Sequence, residues 1–238
     1  MLVSLAALMA FAFMSALGRW QLMRAWQKEA QYAAMQARAV LPPLDGTALA
    51  GSDAAALLHH RVMLQGTWLP QWTVYLDNRQ LDGRQGFLVV TPLQLQGGPA
   101  VAVQRGWIAR NFEDRTRLAP IETPAGVVRL EGRIAPPPPR LLELAGTRVE
   151  PGFSRIRQNL ELAAYGAQIH VPLLSAVSVL QTGADGEGMR RAYIPADSGA
   201  ARNYGYAFQW FALAGLIAFL YVWFQFVRRP RRLRGTIA

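Results

Sequence analysis

The end of the sequence contains a long apolar stretch without charge, and this feature constrains the fold most strongly. From Tyr206 to Val227 no side chain is charged, and leucine, alanine and aromatic residues dominate. A helix of about 22 residues is roughly 33 Å long, which is enough to cross the hydrocarbon core of a bilayer. Aromatic residues near both ends and the arginine cluster at 228–234 are typical of membrane interfaces. The stretch therefore predicts a transmembrane helix rather than the core helix of a soluble protein, which is seldom so long and uncharged.

A second uncharged apolar stretch occupies the first 18 residues. It continues past Arg19 through Trp20 and Leu22, because a long arginine side chain can reach the lipid headgroups. We expect a second transmembrane helix here. A cleaved signal peptide is the alternative, but no basic residue precedes the apolar core and no A-x-A cleavage site follows it. The chargeless start also leaves open that a basic leader precedes residue 1.

The net charge of +10 is concentrated beside these two stretches. Arg19, Arg24 and Lys28 follow the first stretch, and five arginines lie within 228–234, whereas the middle of the chain is nearly balanced. A phosphate backbone needs a basic surface on the binding domain itself, so we expect no nucleic-acid partner. The two clusters make conflicting demands under the positive-inside rule, and we expect both termini in the cytoplasm because the C-terminal cluster is denser.

The segment between the apolar stretches has the pattern of a β-rich domain. Short runs rich in β-branched and aromatic residues, separated by turn signals such as Asp82-Gly83, predict strands. The predicted strands are 60–69, 72–78, 86–95, 99–108 and 127–134, followed by a helix at 158–166 and one or two strands within 169–181.

The predicted architecture is an α+β membrane protein in which two transmembrane helices flank a compact antiparallel β-rich extracytoplasmic domain with a small helical insertion. The lipid bilayer is thus an expected partner. The expected segments are transmembrane helix 1 at 1–24, a helical stalk and linker at 25–58, the β-rich extracytoplasmic domain at 59–203, transmembrane helix 2 at 204–227 and a basic cytoplasmic tail at 228–238.

The sequence contains no motif of a common enzyme or metal site. The absence of cysteine excludes disulfides and thiolate chemistry. His59 and His60 are adjacent, so in a strand their side chains would point to opposite faces and could not share a metal. The acidic pair Glu113-Asp114 lies among arginines and is expected in a solvated loop. We therefore predict no catalytic residue, no metal ligand and no enzymatic activity.

Five short motifs in order resemble the surfeit locus protein 1 family, whose members are assembly factors of cytochrome c oxidase. The motifs are Leu17-Gly18-x-Trp20-Gln21-Leu22-x-Arg24-x₃-Lys28, then Gly66, then Gly86 with Val90-Thr91-Pro92, then Arg105-Gly106-Trp107, and finally Tyr206-Ala207-x₂-Trp210-Phe211. The resemblance implies a protein of the bacterial inner membrane, or of the mitochondrial one, with the arginine-rich composition favouring a bacterial source. It also implies partners, namely the haem a-containing catalytic subunit of the oxidase and the factors that make or insert haem a.

One position departs from the family pattern. Many members have a histidine three residues before the tyrosine of the last motif, where it has been considered a haem ligand, and here that position is Asn203. An asparagine amide nitrogen cannot replace imidazole on iron. If haem a is a cofactor at all, the remaining candidates are Tyr204, Tyr206 and His170. A haem-carrying chaperone and, from another class, a membrane-tethered periplasmic enzyme are therefore the alternatives to a non-enzymatic assembly factor.

The motif residues also have plain structural interpretations. Trp20, Trp210 and Phe211 suit interfacial anchoring, and Gly18 and Gly66 suit close packing or a turn. Within the fourth motif, the arginine could pair with a carboxylate and the tryptophan could fill the core.

Overall fold

The computed structural model of the chain describes residues 2–50, 54–114, 116–142, 152–191 and 198–228. The regular elements are α1 (Leu2–Ala39), β1 (Leu44–Asp45), β2 (Arg61–Trp68), β3 (Val74–Leu81), β4 (Arg84–Leu95), β5 (Ala100–Ala109), β6 (Val127–Ala135), β7 (Ile156–Arg157), α2 (Leu162–Ile169), β8 (Ser178–Gln181) and α3 (Ala200–Val222). A π-helical turn, Trp223–Val227, extends α3. The chain folds into two compact units, one helical and one β-rich, with the division near Ala34 in α1 and again before α3.

The helical unit contains the two helices that are long and apolar enough to cross a membrane. Their buried positions are all small residues at seven-residue spacing, a repeat that keeps residues on one helix face. These are Gly18 and Ala25 on α1, and Ala200, Ala207 and Ala214 on α3. Small residues let two helix backbones approach closely in a membrane, where lipid gives little hydrophobic drive for association.

In the β-rich unit, the strand pairings close a ring. Strand β2 pairs with β6, β6 with β8, β8 with β5, β5 with β4, and β4 returns to β2. The remaining strands extend the sheet outside the ring, with β3 on β4, β7 on β3 and β1 on β2. Both the flanking membrane helices and the β-rich architecture expected from the sequence are confirmed, and the β-rich part is a closed barrel.

Most pairings are antiparallel, as expected, but three short ones are parallel. These are β1 with β2, β3 with β7 and β5 with β8. Each joins segments that are distant along the chain, which period-2 patterning cannot reveal. The expected strand at 72–78 begins later, at Val74, because Pro70–Trp72 forms a 3₁₀ turn. Only one strand, β8, forms within 169–181, together with an isolated bridge between Leu173 and Ala100.

The turn between β3 and β4 shows how local sequence sets strand register. Only Asp82 and Gly83 separate the two strands, and their φ angles are +49° and +74°. Two consecutive residues with positive φ are typical of a type I′ hairpin, whose twist matches that of the strands. The Asp-Gly signal in the sequence therefore fixes this hairpin.

Helix α2 begins later than the sequence predicts. The carboxylate of Glu161 accepts hydrogen bonds from the backbone N–H groups of Ala163 and Ala164, so it caps a helix that starts at Leu162 rather than at 158. These bonds hold the pKa of Glu161 below its usual value. The helix ends where His170 takes a left-handed conformation with φ of +54°.

The side chains of β4 alternate between different cores, which explains why nearly all of them are buried. Leu93 lies in the barrel cluster with Trp68. Leu88 lies in a second cluster, which α2 covers through Tyr165. A strand that is apolar on both faces is expected where both faces are packed.

The barrel closes where β2 and β4 meet, and glycine is required there. Gly66 pairs with Leu95 on β4 and with Val128 on β6. A Cβ at Gly66 would collide with the carbonyl oxygen of Gln94, a backbone atom that cannot rotate away. The family-motif glycine at this position therefore allows the strands to approach, rather than forming a turn.

We expect Gly66→Ala to destabilise the protein by about 2 kcal/mol or more, because overpacking of this size typically costs 1–3 kcal/mol. Thermal unfolding of the detergent-solubilised chain should show a midpoint lower by several degrees. Gly98→Ala is the matched control, since the nearest atom to its added Cβ is 3.8 Å away. Equal midpoints for the two variants would contradict the closure argument.

Candidate functional site

The family-motif residues fall into two groups, one on the helix pair and one in the barrel. The first and last motifs lie on α1 and α3, although they are separated by most of the chain. The three middle motifs lie on β2, β4 and β5. Each group contains a glycine at which an added Cβ would collide with a neighbouring segment.

On the helix pair, Gly18 of α1 lies against the ring of Phe211 on α3. A Cβ at Gly18 would be 2.9 Å from two ring atoms of Phe211, which is shorter than a normal contact. The first and last motifs thus meet directly. Phe211 remains 41% exposed, so its ring packs on α1 and also has a face toward the surroundings of the helix pair.

A polar cluster joins the two helices at the end where α3 begins. The side-chain amide of Asn203 donates from Nδ2 to Oε1 of Gln21 at 2.7 Å. Its Oδ1 accepts from Nζ of Lys28, also at 2.7 Å, and Nζ lies 3.4 Å from the carbonyl oxygen of Gly199. Both halves of the Asn203 amide are therefore engaged in contacts between α1 and α3. We name Gln21, Lys28 and Asn203 the amide clamp.

A second polar pair lies beside the amide clamp. The hydroxyl of Tyr204 donates to Oε2 of Glu29 at 2.8 Å. Glu29 is absent from the family motif and was missed by sequence reasoning. The spacing of residues on α1 could have indicated Glu29. Gln21, Ala25 and Lys28 follow an i, i+4, i+7 pattern that places them on one face of α1, and Glu29 lies next to this face.

Several other motif residues of the helices are exposed. Trp20 and Tyr206 are exposed, and Trp210 is partly buried. Arg24 is also exposed, with Nη1 3.4 Å from Oε1 of Gln27 on its own helix. This distribution fits side chains that contact lipid or a partner, whereas the amide clamp holds the helices together.

The three haem-ligand candidates are distributed over both units of the chain. Tyr204 is bonded to Glu29, and Tyr206 lies two residues further along α3 and is exposed. His170 belongs to the β-rich unit, where it ends α2. Within the described ranges, no three His, Asp or Glu side chains lie together as a metal site requires.

In the barrel, Arg105 occupies a β-bulge of β5. Val89 of β4 pairs with Gly106 and Val90 pairs with Gln104, so Arg105 has no partner residue on β4. A bulge inserts one extra residue and redirects its side chain. The redirected guanidinium lies over the ring of Trp68, with 4.7 Å from Cζ to the ring centroid.

The guanidinium of Arg105 is fully buried, and polar groups surround it. Nη1 donates to the hydroxyl of Thr123 at 2.7 Å, and Nη2 donates to the carbonyl oxygen of Glu122 at 2.5 Å. Nη2 also lies 3.1 Å from Oε2 of Glu187, whose carboxylate is shared with Arg191 at 2.6 Å. Burial lowers the pKa of Arg105, and the bond to Glu187 opposes this shift. The carboxylate partner suggested by the sequence is thus Glu187.

Trp107 and two motif glycines surround this centre. The indole Nε1 of Trp107 donates to the carbonyl oxygen of Arg79 at 2.8 Å, and its ring is 2% exposed. A Cβ at Gly86 would collide with the Trp107 ring. A Cβ at Gly106 would lie 2.9 Å from the carbonyl oxygen of Arg190. These motif residues are buried and closely packed within the β-rich unit.

The histidine pair differs from the expectation. His59 and His60 precede β2 and are not in a strand; His59 has a left-handed φ of +73°. Nδ1 of His60 lies 3.1 Å from the carbonyl oxygen of Leu57. The turn that ends the preceding 3₁₀ segment, Ala54–Leu57, displaces both residues from the strand. Burial, reinforced by Arg38 and Arg133, lowers the pKa of His59, which favours a neutral structural side chain.

Comparison with known proteins shows which family matches this chain and which curated proteins resemble it. The model of the SURF1 family matches residues 8–215, which include most of α1, the β-rich unit and most of α3. The chain is 32% identical over 120 residues to a SURF1-like protein of Rickettsia felis, covering 50% of each protein. It is 30% identical over 111 residues to a SURF1-like protein of Rickettsia bellii, covering 46% of this chain and 44% of that protein. The chain spans about half the length of the curated relatives that it matches.

We expect Arg105→Met to destabilise the β-rich unit by about 1.5–3 kcal/mol, because it removes the buried charge-assisted hydrogen bonds to Thr123 and Glu122, while Glu187 keeps its ion pair with Arg191. Thermal unfolding followed by circular dichroism measures the loss. The control is Arg61→Met, which breaks a surface pair with Glu131 whose side chains are 39% exposed, and which should cost at most about 1 kcal/mol. Similar losses of stability for both variants would show that the buried contacts of Arg105 contribute no more than a surface ion pair does.

Proposed function

Because the chain belongs to the SURF1 family, we propose that it is an assembly factor of cytochrome c oxidase that assists maturation of the haem a-containing catalytic subunit. It is a membrane protein with two spanning helices. The observation that carries the proposal is the meeting of the first and last family motifs at Gly18 and Phe211. Residues that are remote in sequence thereby form one surface inside the membrane.

The proposed role is to hold a membrane partner rather than to perform chemistry. The helix pair has its small residues on the inside and exposes large aromatic side chains, among them Phe208, Phe219 and Phe226. A helix pair with an aromatic exterior suits contact with the transmembrane helices of another subunit. We therefore assign the interaction role to the exposed motif residues Trp20, Arg24 and Tyr206 and to the partly buried Trp210, and the supporting role to Gly18 and the amide clamp.

The barrel contains one cavity that bears on the enzyme alternative. A cavity of about 290 Å³ beside β1 is lined by Asp45, Thr47 and Gln65, and Asp45 is the one titratable residue among the described residues that line it. General acid–base chemistry commonly needs two positioned groups. The cavity therefore gives no support to the alternative of a membrane-tethered enzyme.

The proposed location is the bacterial inner membrane, with the β-rich unit in the periplasm and both termini in the cytoplasm. The arginine-rich tail from residue 228 supports this orientation. Lys28, which the positive-inside rule would place in the cytoplasm, is engaged by Asn203. Because the Lys28 ammonium is bonded within the protein, its charge is weaker evidence for the orientation of the helix in the membrane.

In a strain that lacks the gene and any paralogue, we expect the a-type haem band in reduced-minus-oxidised membrane spectra to fall, with b- and c-type bands retained. The wild-type chain should restore the band. Gly18→Leu should fail to restore it, because even the first side-chain carbon collides with Phe211. Gly205→Leu is the control, since no atom lies within 4 Å of its added Cβ.

Immunoblots must show equal amounts of both variants in the membrane. A normal a-type band in the deletion strain would overturn the assembly role itself. Full restoration by Gly18→Leu would instead show that the contact between Gly18 and Phe211 is not needed for oxidase assembly.

The alternative of a haem-carrying chaperone is tested by purifying the protein after co-production with the enzymes of haem a synthesis. The hydrogen bonds of Asn203 to Gln21 and Lys28 disfavour this alternative. A haem-free protein would count against it.

Topology can be tested with a reporter enzyme that is active only in the periplasm. Fused after Ala238, it should be inactive, and inserted at the exposed Asp82-Gly83 turn, it should be active. The opposite result would invert the proposed orientation.

A further inference from the structure

Arg19 is a charged residue in the apolar part of α1, and its guanidinium has no partner among the residues that the structure describes. Of the three cations on this part of α1, Lys28 is bound by Asn203, and Arg24 contacts Gln27. Across the ranges that the structure describes, Arg19 makes neither a hydrogen bond nor an ion pair, and its side chain is exposed. An ionisable side chain at membrane depth without a partner indicates a functional contact outside the protein.

The helix register gives the depth of Arg19. Gly18 lies at the level of Phe211, which is five residues inside the uncharged stretch that begins at Tyr206. At 1.5 Å per residue, Arg19 lies roughly 6 Å below the level of Tyr206. At this depth the side chain can still extend to the phosphate layer of the bilayer.

A groove adjoins Arg19 on the surface of the helical unit. Its volume is about 370 Å³, and Ser15, Ala16, Trp20 and Met23 line it together with Arg19. The small side chains of Ser15 and Ala16 leave room on the side toward the membrane centre. Trp20 is 57% exposed, as is typical of an indole at the headgroup level. The groove is thus apolar toward the membrane interior and cationic toward the interface.

We propose that Arg19 and this groove form a binding site for one membrane phospholipid. The guanidinium binds the lipid phosphate, for which its planar array of donors is well matched. An acyl chain lies in the groove along Ser15 and Ala16. Charge complementarity favours this occupant, because the first 28 residues contain three cations and no acidic residue.

The site is independent of the proposed role in oxidase assembly, because it requires only that α1 lies in a bilayer. The test therefore uses the purified full chain in a neutral detergent, with bound lipids counted by native mass spectrometry. The probes are phosphatidylglycerol and a phosphate-free galactosyl diacylglycerol with the same acyl chains. We expect one phosphatidylglycerol to bind about tenfold more tightly than the glycolipid, the effect of one charge-assisted hydrogen bond.

Three variants locate the site. Arg19→Gln should abolish the preference for phosphatidylglycerol, and Ala16→Phe should weaken binding by filling the groove with the charge intact. Arg202→Gln is the matched control, because it removes an exposed arginine of the same unit outside the uncharged stretch, and it should bind as the wild type does. Helical circular dichroism of each variant confirms folding. Excess inorganic phosphate should not displace the lipid, since it cannot fill the groove.

Unchanged binding by Arg19→Gln would overturn the proposal. Equal losses in Arg19→Gln and Arg202→Gln would also overturn it, because they would indicate diffuse attraction to headgroups. In a third contrary result, the Arg19→Gln variant binds lipid normally but no longer co-purifies with the oxidase subunit. This result would indicate that Arg19 binds an acidic group of a partner helix instead of a lipid. Displacement of the lipid by inorganic phosphate would also overturn the proposal, because it would show that the site binds only an anion.

Discussion

Contact between two apolar helices is the constraint on which the membrane part of this protein depends. Helices surrounded by lipid gain little from the hydrophobic effect, so packing and hydrogen bonds must hold them together. Gly18 supplies the packing by accepting the Phe211 ring against the α1 backbone. The amide of Asn203 supplies the polar contacts through Gln21 and Lys28. The outer surface of the pair is thereby left free for aromatic side chains and for cations such as Arg19.

The barrel meets a different constraint, which is the removal of a charge from water. Burying a guanidinium is costly unless hydrogen bonds and an opposite charge compensate for it. The bulge at Arg105 directs the group toward Trp68, Thr123 and Glu187, which provide that compensation. Because Glu187 is far from β5 in sequence, one side chain secures a distant segment to the ring. The family-motif residues thus lie where close packing or the burial of a charge restricts which side chain fits.

Local patterns predicted the elements, but not the contacts between distant segments. The uncharged stretch at 206–227 and the Asp82-Gly83 turn are visible in the sequence because charge, apolar length and positive φ are local properties. The closure of β2 on β4 at Gly66 and the pairing of Arg105 with Glu187 depend on chain segments that periodicity does not relate. For the same reason, the sequence identifies Asn203 as a departure from the family pattern but does not predict the hydrogen bonds of Asn203 to α1.

The amide clamp also has a consequence for the chain between its partners. Lys28 and Asn203 are 175 residues apart in sequence, and their bond brings the two ends of the intervening chain together. While the helices stay paired, the unfolded β-rich segment would be a closed loop with fewer conformations than a free chain of equal length. The membrane anchor thus acts as a noncovalent cross-link in a protein without disulfides, and it favours refolding of the segment that it encloses.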